Sequence, residues 1–205
     1  SRHFPWGPEE DIELVRTVRE AVGDGIDLMV DANHAYDLAT AKRVANGLEG
    51  LDVRFFEEPV RPEVAYYADL SDDVDVPIAG GESWAFQHEF NRVLSENAAE
   101  YVQPDVTSAG GITSTDRVAT LAHSENVQCV PHVFGSAVAL AASLQVIATI
   151  PGEPMLEFDR TPNPIREDLA ETPITNDGDV VSIRDEPGLG IEIDESVLES
   201  FRAEP

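Results

Sequence analysis

Six acid-base residues recur along the chain at nearly constant intervals, each at the end of a short apolar run. In chain order they are Asp31, Glu57, Glu82, Asp105, His132 and Glu157. The intervals between them are 26, 25, 23, 27 and 25 residues. One strand, one loop and one helix fit such an interval, so the pattern predicts a repeated strand–helix unit. In a (β/α)8 barrel the carboxyl ends of the strands meet at one mouth, where we expect these six side chains to converge.

The first three carboxylates are predicted to bind a metal ion. Asp31, Glu57 and Glu82 end consecutive predicted strands, and clustered carboxylates raise one another's pKa unless a cation joins them. Ligation by oxygen alone favours a hard divalent ion, Mg²⁺ first and Mn²⁺ as its substitute. Glu58 is an alternative to Glu57, because neighbouring strand residues point to opposite faces. The competing interpretation is three unrelated surface carboxylates, which the shared strand-end position argues against.

The next two strand ends suggest acid–base catalysis. A carboxylate that is hydrogen-bonded to an imidazole fixes its tautomer and raises its basicity, so Asp105 and His132 are predicted to act as a general acid/base. Glu157, on the sixth predicted strand, is expected to contact a substrate oxygen opposite the metal, with a simple surface acid as the alternative. Three other histidines are predicted to be structural: His34, His88 and His123.

Helical periodicity and capping residues predict the elements that position these side chains. The predicted helices begin at Pro8, Asp37 and Pro62, after Glu82, after Gly110-Gly111, and at Ser136. Residues 161–205 show no further strand–helix unit and are predicted to be loop, with turns at Asn176–Asp179 and Pro187–Gly190. We therefore divide the chain into a partial barrel, residues 1–160, and a C-terminal segment, residues 161–205, which packs back on the barrel or on an upstream domain.

Six strands are too few to close an eight-stranded barrel. The first recognisable element is a helix with no strand before it, so we expect this α/β chain to be the C-terminal part of a longer protein. An open six-stranded sheet is the alternative, but it would leave exposed edges.

The composition is strongly acidic. The 205 residues include 40 Asp and Glu against 13 Lys and Arg, a formal net charge of −27. Such a surface repels nucleic acids and anionic membranes, while the interleaved apolar runs exclude acidic disorder. The charge favours a halophilic protein of a salt-rich cytoplasm. Cys129 is the single cysteine, so no internal disulfide can form, and no run is long enough to span a membrane. A cytoplasmic location is expected.

Several short motifs together resemble the enolase superfamily, and most closely its mandelate racemase-like branch. They are Val30-Asp31-Ala32-Asn33, Phe56-Glu57-Glu58-Pro59, Gly81-Glu82-Ser83-Trp84, Gln103-Pro104-Asp105, Gly110-Gly111-Ile112-Thr113, Pro131-His132, Leu156-Glu157 and Pro187-Gly188-Leu189-Gly190. The resemblance implies that Mg²⁺ is bound by the residues matching the first three carboxylates. It also implies removal of the proton α to a carboxylate and stabilisation of the resulting enediolate.

The same resemblance implies roles for single residues. The Asp105–His132 pair would be one general acid/base, Glu157 would hydrogen-bond the enediolate, and Asn33 would contact the substrate or the metal shell. The family's N-terminal capping domain and its Lys-x-Lys signature are not found. Arg2 lies near the second lysine position, where an arginine is a poor base but can bind a carboxylate.

The arginine near the second lysine position favours dehydration of a sugar acid to a 2-keto-3-deoxy acid over racemisation or epimerisation of a 2-hydroxy acid. A non-catalytic metal-binding relative is a third alternative, which the Asp–His pair argues against. Members of the family commonly assemble, so a homo-oligomer with a small carboxylate substrate is expected, without nucleic acid or membrane partners.

Overall fold

Five parallel strands and the helices between them form the main body of the computed structural model, which describes residues 7–152 and 154–202. The strands are β1 (Leu28–Asp31), β2 (Val53–Glu57), β3 (Ile78–Gly80), β4 (Tyr101–Val102) and β5 (Gln128–Cys129). The helices are α1 (Pro8–Val22), α2 (Leu38–Leu48), α3 (Val64–Ser71), α4 (Gln87–Ser95), α5 (Gly111–Ser124) and α6 (Ala137–Ile147). Each strand pairs in parallel with the next one along the chain. The predicted α/β class and partial barrel are confirmed.

The helix starts follow from local capping chemistry. Pro8 occupies the first turn of α1, where its missing N–H costs nothing, and three acidic residues there suit the helix dipole. Asp37 caps α2 by accepting a hydrogen bond from Thr40 N at 2.8 Å. Ser136 caps α6 in the same way through Ala139 N. The loops that follow β1 and β5 are therefore fixed at one end by the strand and at the other end by a capped helix.

The main core lies between the sheet and the helices packed on it. Phe56, Ile78 and Val102 contribute fully buried side chains from β2, β3 and β4. Trp84, just after β3, packs edge-on against Tyr67, with ring centroids 5.2 Å apart, and donates its indole N–H to Pro62 O at 2.8 Å. The loop that carries Glu82 is therefore anchored in the core.

The sixth predicted strand does not form. The residues where it is expected, Pro154–Phe158, are irregular and do not join the five-stranded sheet. Pro154 has no N–H to donate to a ladder. The contact that links this stretch to the loop after β5 is made by a side chain, since Val133 N donates to Glu157 Oε2 at 3.0 Å.

The C-terminal segment folds into short elements that the sequence did not predict. They are α7 (Pro164–Glu167), β6 (Asn176–Asp177), β7 (Val180–Val181) and α8 (Glu195–Ser200). Helices of four and six residues are too short to show a periodic apolar pattern. The two predicted turns are present: Gly178 has a φ of 65° between β6 and β7, and Gly190 N donates to Pro187 O.

This segment covers α6. The side chains of Ile174 and Val181 pack against Leu140 and Leu144, and a second small cluster joins α6 to the region around α7. Among the residues that the structure describes, no helix is both long and apolar enough to cross a membrane.

Gly81 is required by the close approach of two backbones. A Cβ at this position would lie 2.5 Å from the backbone N and C of Gln103, and the φ of Gly81 is +156°. Overpacking of this kind costs about 1–3 kcal/mol, so we expect Gly81→Ala to lower the free energy of unfolding by about 2 kcal/mol. Urea unfolding of the full-length protein measures this change in the free energy of unfolding.

The matched control is Gly25→Ala, since nothing lies within 4 Å of a Cβ there. It should change the urea midpoint little. Equal midpoints for both variants would contradict the backbone contact at Gly81.

Candidate active site

The candidate site lies at the carboxyl ends of the strands. Asp31 and Glu57 are the last residues of β1 and β2 and are direct partners in the sheet register. Glu82 follows β3 by two residues, Asp105 follows β4 by three, and His132 follows β5 by three. The parallel sheet thus places these residues along one edge.

Buried carboxylates are confined to this edge in the part of the chain that the structure describes. Glu57 is 8% exposed, Glu58 1% and Asp105 7%, whereas the other described acidic side chains are at least partly exposed. Burying a carboxylate costs several kcal/mol unless it is paired or hydrogen-bonded. Because these costly buried carboxylates all lie at strand ends, they indicate a functional site there.

His132 is held between two carboxylates. Its Nδ1 lies 2.7 Å from Asp105 Oδ2, and its Nε2 lies 3.0 Å from Glu82 Oε2. Asp105 is held in turn by Thr107, whose N and Oγ1 donate to Oδ1 at 2.6 and 2.7 Å. Because carboxylates face both ring nitrogens, the imidazolium, with two N–H donors, satisfies the arrangement best.

These contacts shift the pKa of both partners. Burial lowers the pKa of His132, but the hydrogen bond with Asp105 and the charges of Glu82 and Glu157 outweigh it and raise the pKa to about 9. Burial opposes the shift of Asp105, yet hydrogen bonds from His132 and Thr107 lower its pKa. His132 is therefore protonated at neutral pH and suited to donate a proton.

This raised pKa predicts a pH-dependent stability. Since the pKa of an unfolded histidine is about 6.5, protonated His132 stabilises the fold fully below pH 6.5. The contribution is lost as the pH rises through about 9. We expect the difference in unfolding free energy between the native protein and His132→Asn, measured in urea with a chelator, to fall from pH 6 to pH 10.

Exposed His123, on α5, provides the control for this measurement. The difference between the native protein and His123→Asn should be small at both ends of this pH range, because substitutions of exposed side chains change stability little. A difference for His132→Asn that stayed flat or grew with pH would contradict the ion pairs.

The remaining carboxylates form a cluster of like charge. Burial raises the pKa of Glu57 to about 8, and the charges of Asp31, Glu157 and Glu82 add to it, while Gln103 opposes the shift. Partial loss of hydration is also the first cause of the raised pKa values of Asp31, Glu82 and Glu157, although all three side chains stay at least partly exposed. Each member disfavours ionisation of the others, a situation that a bound cation would relieve.

The donor chemistry of this cluster fits a hard divalent ion, although its side chains are also engaged by protein groups. Among the described residues, no three His, Cys, Asp or Glu side chains are arranged as a finished metal site. Asp31 accepts hydrogen bonds from Asn33, both from its backbone N at 2.8 Å and from its side-chain amide. Beside Glu57, Gln103 Oε1 is buried without a partner among the described atoms. Oxygen ligands of this type suit Mg²⁺ and Mn²⁺.

The structure describes two of the three predicted substrate contacts, Asn33 and Glu157. Asn33 lies at the site with its side-chain amide directed to Asp31. Arg2 lies outside the described residues. Glu157 directs Oε2 to the backbone of Val133, in the loop that follows His132.

The same loop presents an exposed aromatic side chain. Phe134 is 57% exposed, and its ring centroid lies 6.5 Å from that of His132 at an interplanar angle of 29°. Asn163 Nδ2, in the C-terminal segment, donates to Gly135 O at 2.9 Å. The loop after His132 is thus held from two sides, by Glu157 and by Asn163.

A second group of side-chain contacts, among residues next to the predicted metal ligands in sequence, was not predicted from the sequence. His34, predicted to be structural, contacts both Glu58 and Ser83. Each of the three follows one of the predicted metal ligands closely in sequence, which was the available signal.

Comparison with known proteins identifies relatives of most of the chain. The family model described as "Enolase C-terminal domain-like" matches residues 2–197. D-galactarolactone cycloisomerase of Agrobacterium fabrum is 40% identical over 206 residues, which cover 96% of this chain and 54% of that protein. Arabinonate dehydratase of Saccharolobus solfataricus is 32% identical over 198 residues, covering 95% and 52%.

Solved structures agree with the fold. The 3,6-anhydro-D-galactonate cycloisomerase from Zobellia galactanivorans superposes with a TM-score of 0.89 at 34% identity, over 95% of this chain and 56% of that one. A racemase from Streptomyces coelicolor A3(2) with bound magnesium gives a TM-score of 0.84 at 27% identity, over 94% and 51%. The chain spans about half the length of these relatives.

Proposed function

The chain belongs to the enolase C-terminal domain-like family, and on that premise we propose that it forms the catalytic part of a sugar-acid lyase. The reaction removes the proton α to the substrate carboxylate and then expels the β-oxygen. The observation that carries the proposal is the position of His132. Its imidazole is fixed by Asp105 on one side and faces the carboxylate cluster with its other nitrogen.

Asp31, Glu57 and Glu82 are the proposed ligands of one Mg²⁺, for which Mn²⁺ can substitute. Glu57 is preferred to Glu58, because the carboxylate of Glu58 already accepts a hydrogen bond from Ser83 and contacts His34. When bound, the ion supplies Lewis-acid stabilisation of the negative charge that develops on the substrate carboxylate. The magnesium-bound racemase supports this choice of ion.

His132 is the proposed general acid. Its Nε2 proton passes to the departing β-oxygen, while Asp105 holds Nδ1 and keeps the ring oriented. In a one-base elimination the neutral nitrogen first takes the α-proton and then gives that proton to the departing oxygen of the same substrate, so His132 starts and ends the turnover in the same protonation state. We propose that Glu157 and Asn33 contact substrate oxygens at the mouth, and that Arg2 binds the substrate carboxylate.

Dehydration is the first candidate reaction. When the β-oxygen is a free hydroxyl, the C–O bond breaks, water leaves with the proton from His132, and the enol becomes a 2-keto-3-deoxy acid. The arabinonate dehydratase relative supports this reaction class.

Cycloisomerisation is the second candidate, favoured by the 40% identity to a cycloisomerase and by the cycloisomerase structure. When the β-oxygen belongs to a ring of the substrate, the same C–O cleavage opens the ring. The protonated oxygen then stays in the molecule, and the product is an isomer. The two reactions share proton abstraction and proton donation and differ only in where the leaving oxygen is attached.

The test incubates the complete protein with Mg²⁺ and concentrated KCl in D₂O, with a panel of open-chain and ring-containing sugar acids. NMR and mass spectrometry follow α-deuterium, 2-keto acids and product mass. A keto acid formed with loss of water identifies a dehydratase. A ring-opened product with the same elemental composition as the substrate identifies a cycloisomerase. Deuterium exchange or inverted configuration without C–O cleavage would replace the proposal by racemisation or epimerisation. No exchange with any acid would overturn it.

A further inference from the structure

Three residues that closely follow the proposed metal ligands in sequence are in contact with one another. His34 lies three residues after Asp31, Glu58 directly follows Glu57, and Ser83 directly follows Glu82. We call them the His34–Glu58–Ser83 cluster. Each comes from the loop after a different strand, β1, β2 or β3.

Their polar atoms are all within hydrogen-bond distance. Ser83 Oγ donates to Glu58 Oε1 at 3.0 Å, His34 Nε2 lies 2.8 Å from the same oxygen, and His34 Nε2 and Ser83 Oγ are 2.9 Å apart. The other ring nitrogen, His34 Nδ1, lies 2.7 Å from Val60 O. One carboxylate oxygen thus joins three loops.

The backbone around the cluster is strained. Asn33, His34 and Glu58 have φ values of 45°, 59° and 42°, in the left-handed region that non-glycine residues seldom adopt. Such conformations cost about 1–3 kcal/mol each and persist only where surrounding contacts fix them. His34 N donates to Glu58 O at 2.7 Å, so backbone and side-chain contacts hold the first two loops together.

Burial of Glu58 is also costly and has no packing explanation. Its side chain is 2% exposed and lies near other carboxylates, where an apolar side chain would pack without charge repulsion. What the carboxylate provides, and an apolar group cannot, is a shared acceptor for partners on two neighbouring loops.

We propose that the His34–Glu58–Ser83 cluster is a positioning cluster for the metal site. By joining the loops after β1, β2 and β3, it sets the separation of Asp31, Glu57 and Glu82 and so determines the affinity for a divalent cation. This positioning role depends on the proposed function, in which Asp31, Glu57 and Glu82 bind a metal ion. Partners hydrogen-bonded to metal ligands typically change metal affinity 10–100-fold when mutated, and for a cluster that acts through the loops we expect the lower end of that range.

The test measures Mn²⁺ binding to the complete protein by EPR titration of free Mn²⁺. Ser83→Ala removes the donor to Glu58 at an exposed position, and Ser83→Thr keeps a hydroxyl there. We expect Ser83→Ala and Glu58→Gln to weaken Mn²⁺ binding about 10-fold or more, and Ser83→Thr to restore most of it. The matched control is Ser95→Ala, at the exposed end of α4.

Urea unfolding with a chelator, run on the same variants, separates positioning from stability. A positioning role requires that Ser83→Ala weaken Mn²⁺ binding while leaving the urea midpoint near that of Ser95→Ala. Native Mn²⁺ affinity in both Ser83→Ala and Glu58→Gln would overturn the cluster's role and leave the proposed function intact. Failure of the native protein itself to bind Mn²⁺ or Mg²⁺ would overturn the metal site and the cluster together.

Discussion

Replacing His132 by asparagine is expected to lower kcat about 1,000-fold in the complete protein, within the range of rate that a general acid or base contributes. Asparagine keeps a polar side chain near Asp105 but carries no proton that it can give to a leaving oxygen. Because His132 is not a proposed metal ligand, we expect Mn²⁺ affinity to stay within a few-fold of native. Steady-state kinetics and EPR titration on one preparation measure both quantities.

His123→Asn is the matched control, since His123 is an exposed histidine on α5. It should retain native kcat. A His132→Asn variant that turned over at the native rate would remove His132 from the reaction. Loss of kcat together with loss of Mn²⁺ binding would instead show that the imidazole supports the metal site through its contact with Glu82.

Replacing Glu57 by glutamine is expected to weaken Mn²⁺ binding about 100-fold or more, because removal of a ligand should cost at least as much as removal of an outer-shell partner. Glutamine has nearly the same shape but lacks the charge. The substitution also removes a buried carboxylate whose pKa is raised to about 8, so the protein should become more stable above pH 8 when a chelator is present.

The sign of the stability change follows from the shifted pKa. A carboxyl group whose folded pKa lies above its unfolded value destabilises the fold increasingly as the pH rises from the unfolded to the folded pKa. Glu49→Gln, at an exposed position after α2, is the control for both measurements. Native Mn²⁺ affinity in Glu57→Gln would contradict its assignment as a ligand and return Glu58 to consideration.

The strand–helix repeat could be predicted because each unit carries its own local signals. Asp37 and Ser136 mark helix starts through short-range capping, and the regular intervals place polar residues at strand ends. Register in a parallel sheet then brings Asp31 beside Glu57. These features depend on residues close in sequence or on a repeat, and both are visible in a single chain.

Other features depend on tertiary contacts that no local pattern encodes. The sixth strand, expected to end at Glu157, does not form, and the Glu157 carboxylate accepts a hydrogen bond from Val133 N where a backbone ladder is expected. His34 is predicted to be structural because a lone histidine more often is, and its place three residues after Asp31 does not by itself reveal its partners. Its partners Glu58 and Ser83 lie 24 and 49 positions farther along the chain, and only the fold brings them together.

The two parts of the site are also separated in the order of synthesis. The proposed metal ligands and the cluster behind them lie between Asp31 and Ser83, whereas the loop that follows His132 is held by Asn163, 80 positions after Ser83. Because chains emerge from the ribosome from the N-terminal end, the cation-binding residues are synthesised well before the last contact of the proton-donating part, but domains generally fold as units. Both parts of the site are therefore expected to form together, once Asn163 has left the ribosome and can reach the loop after His132.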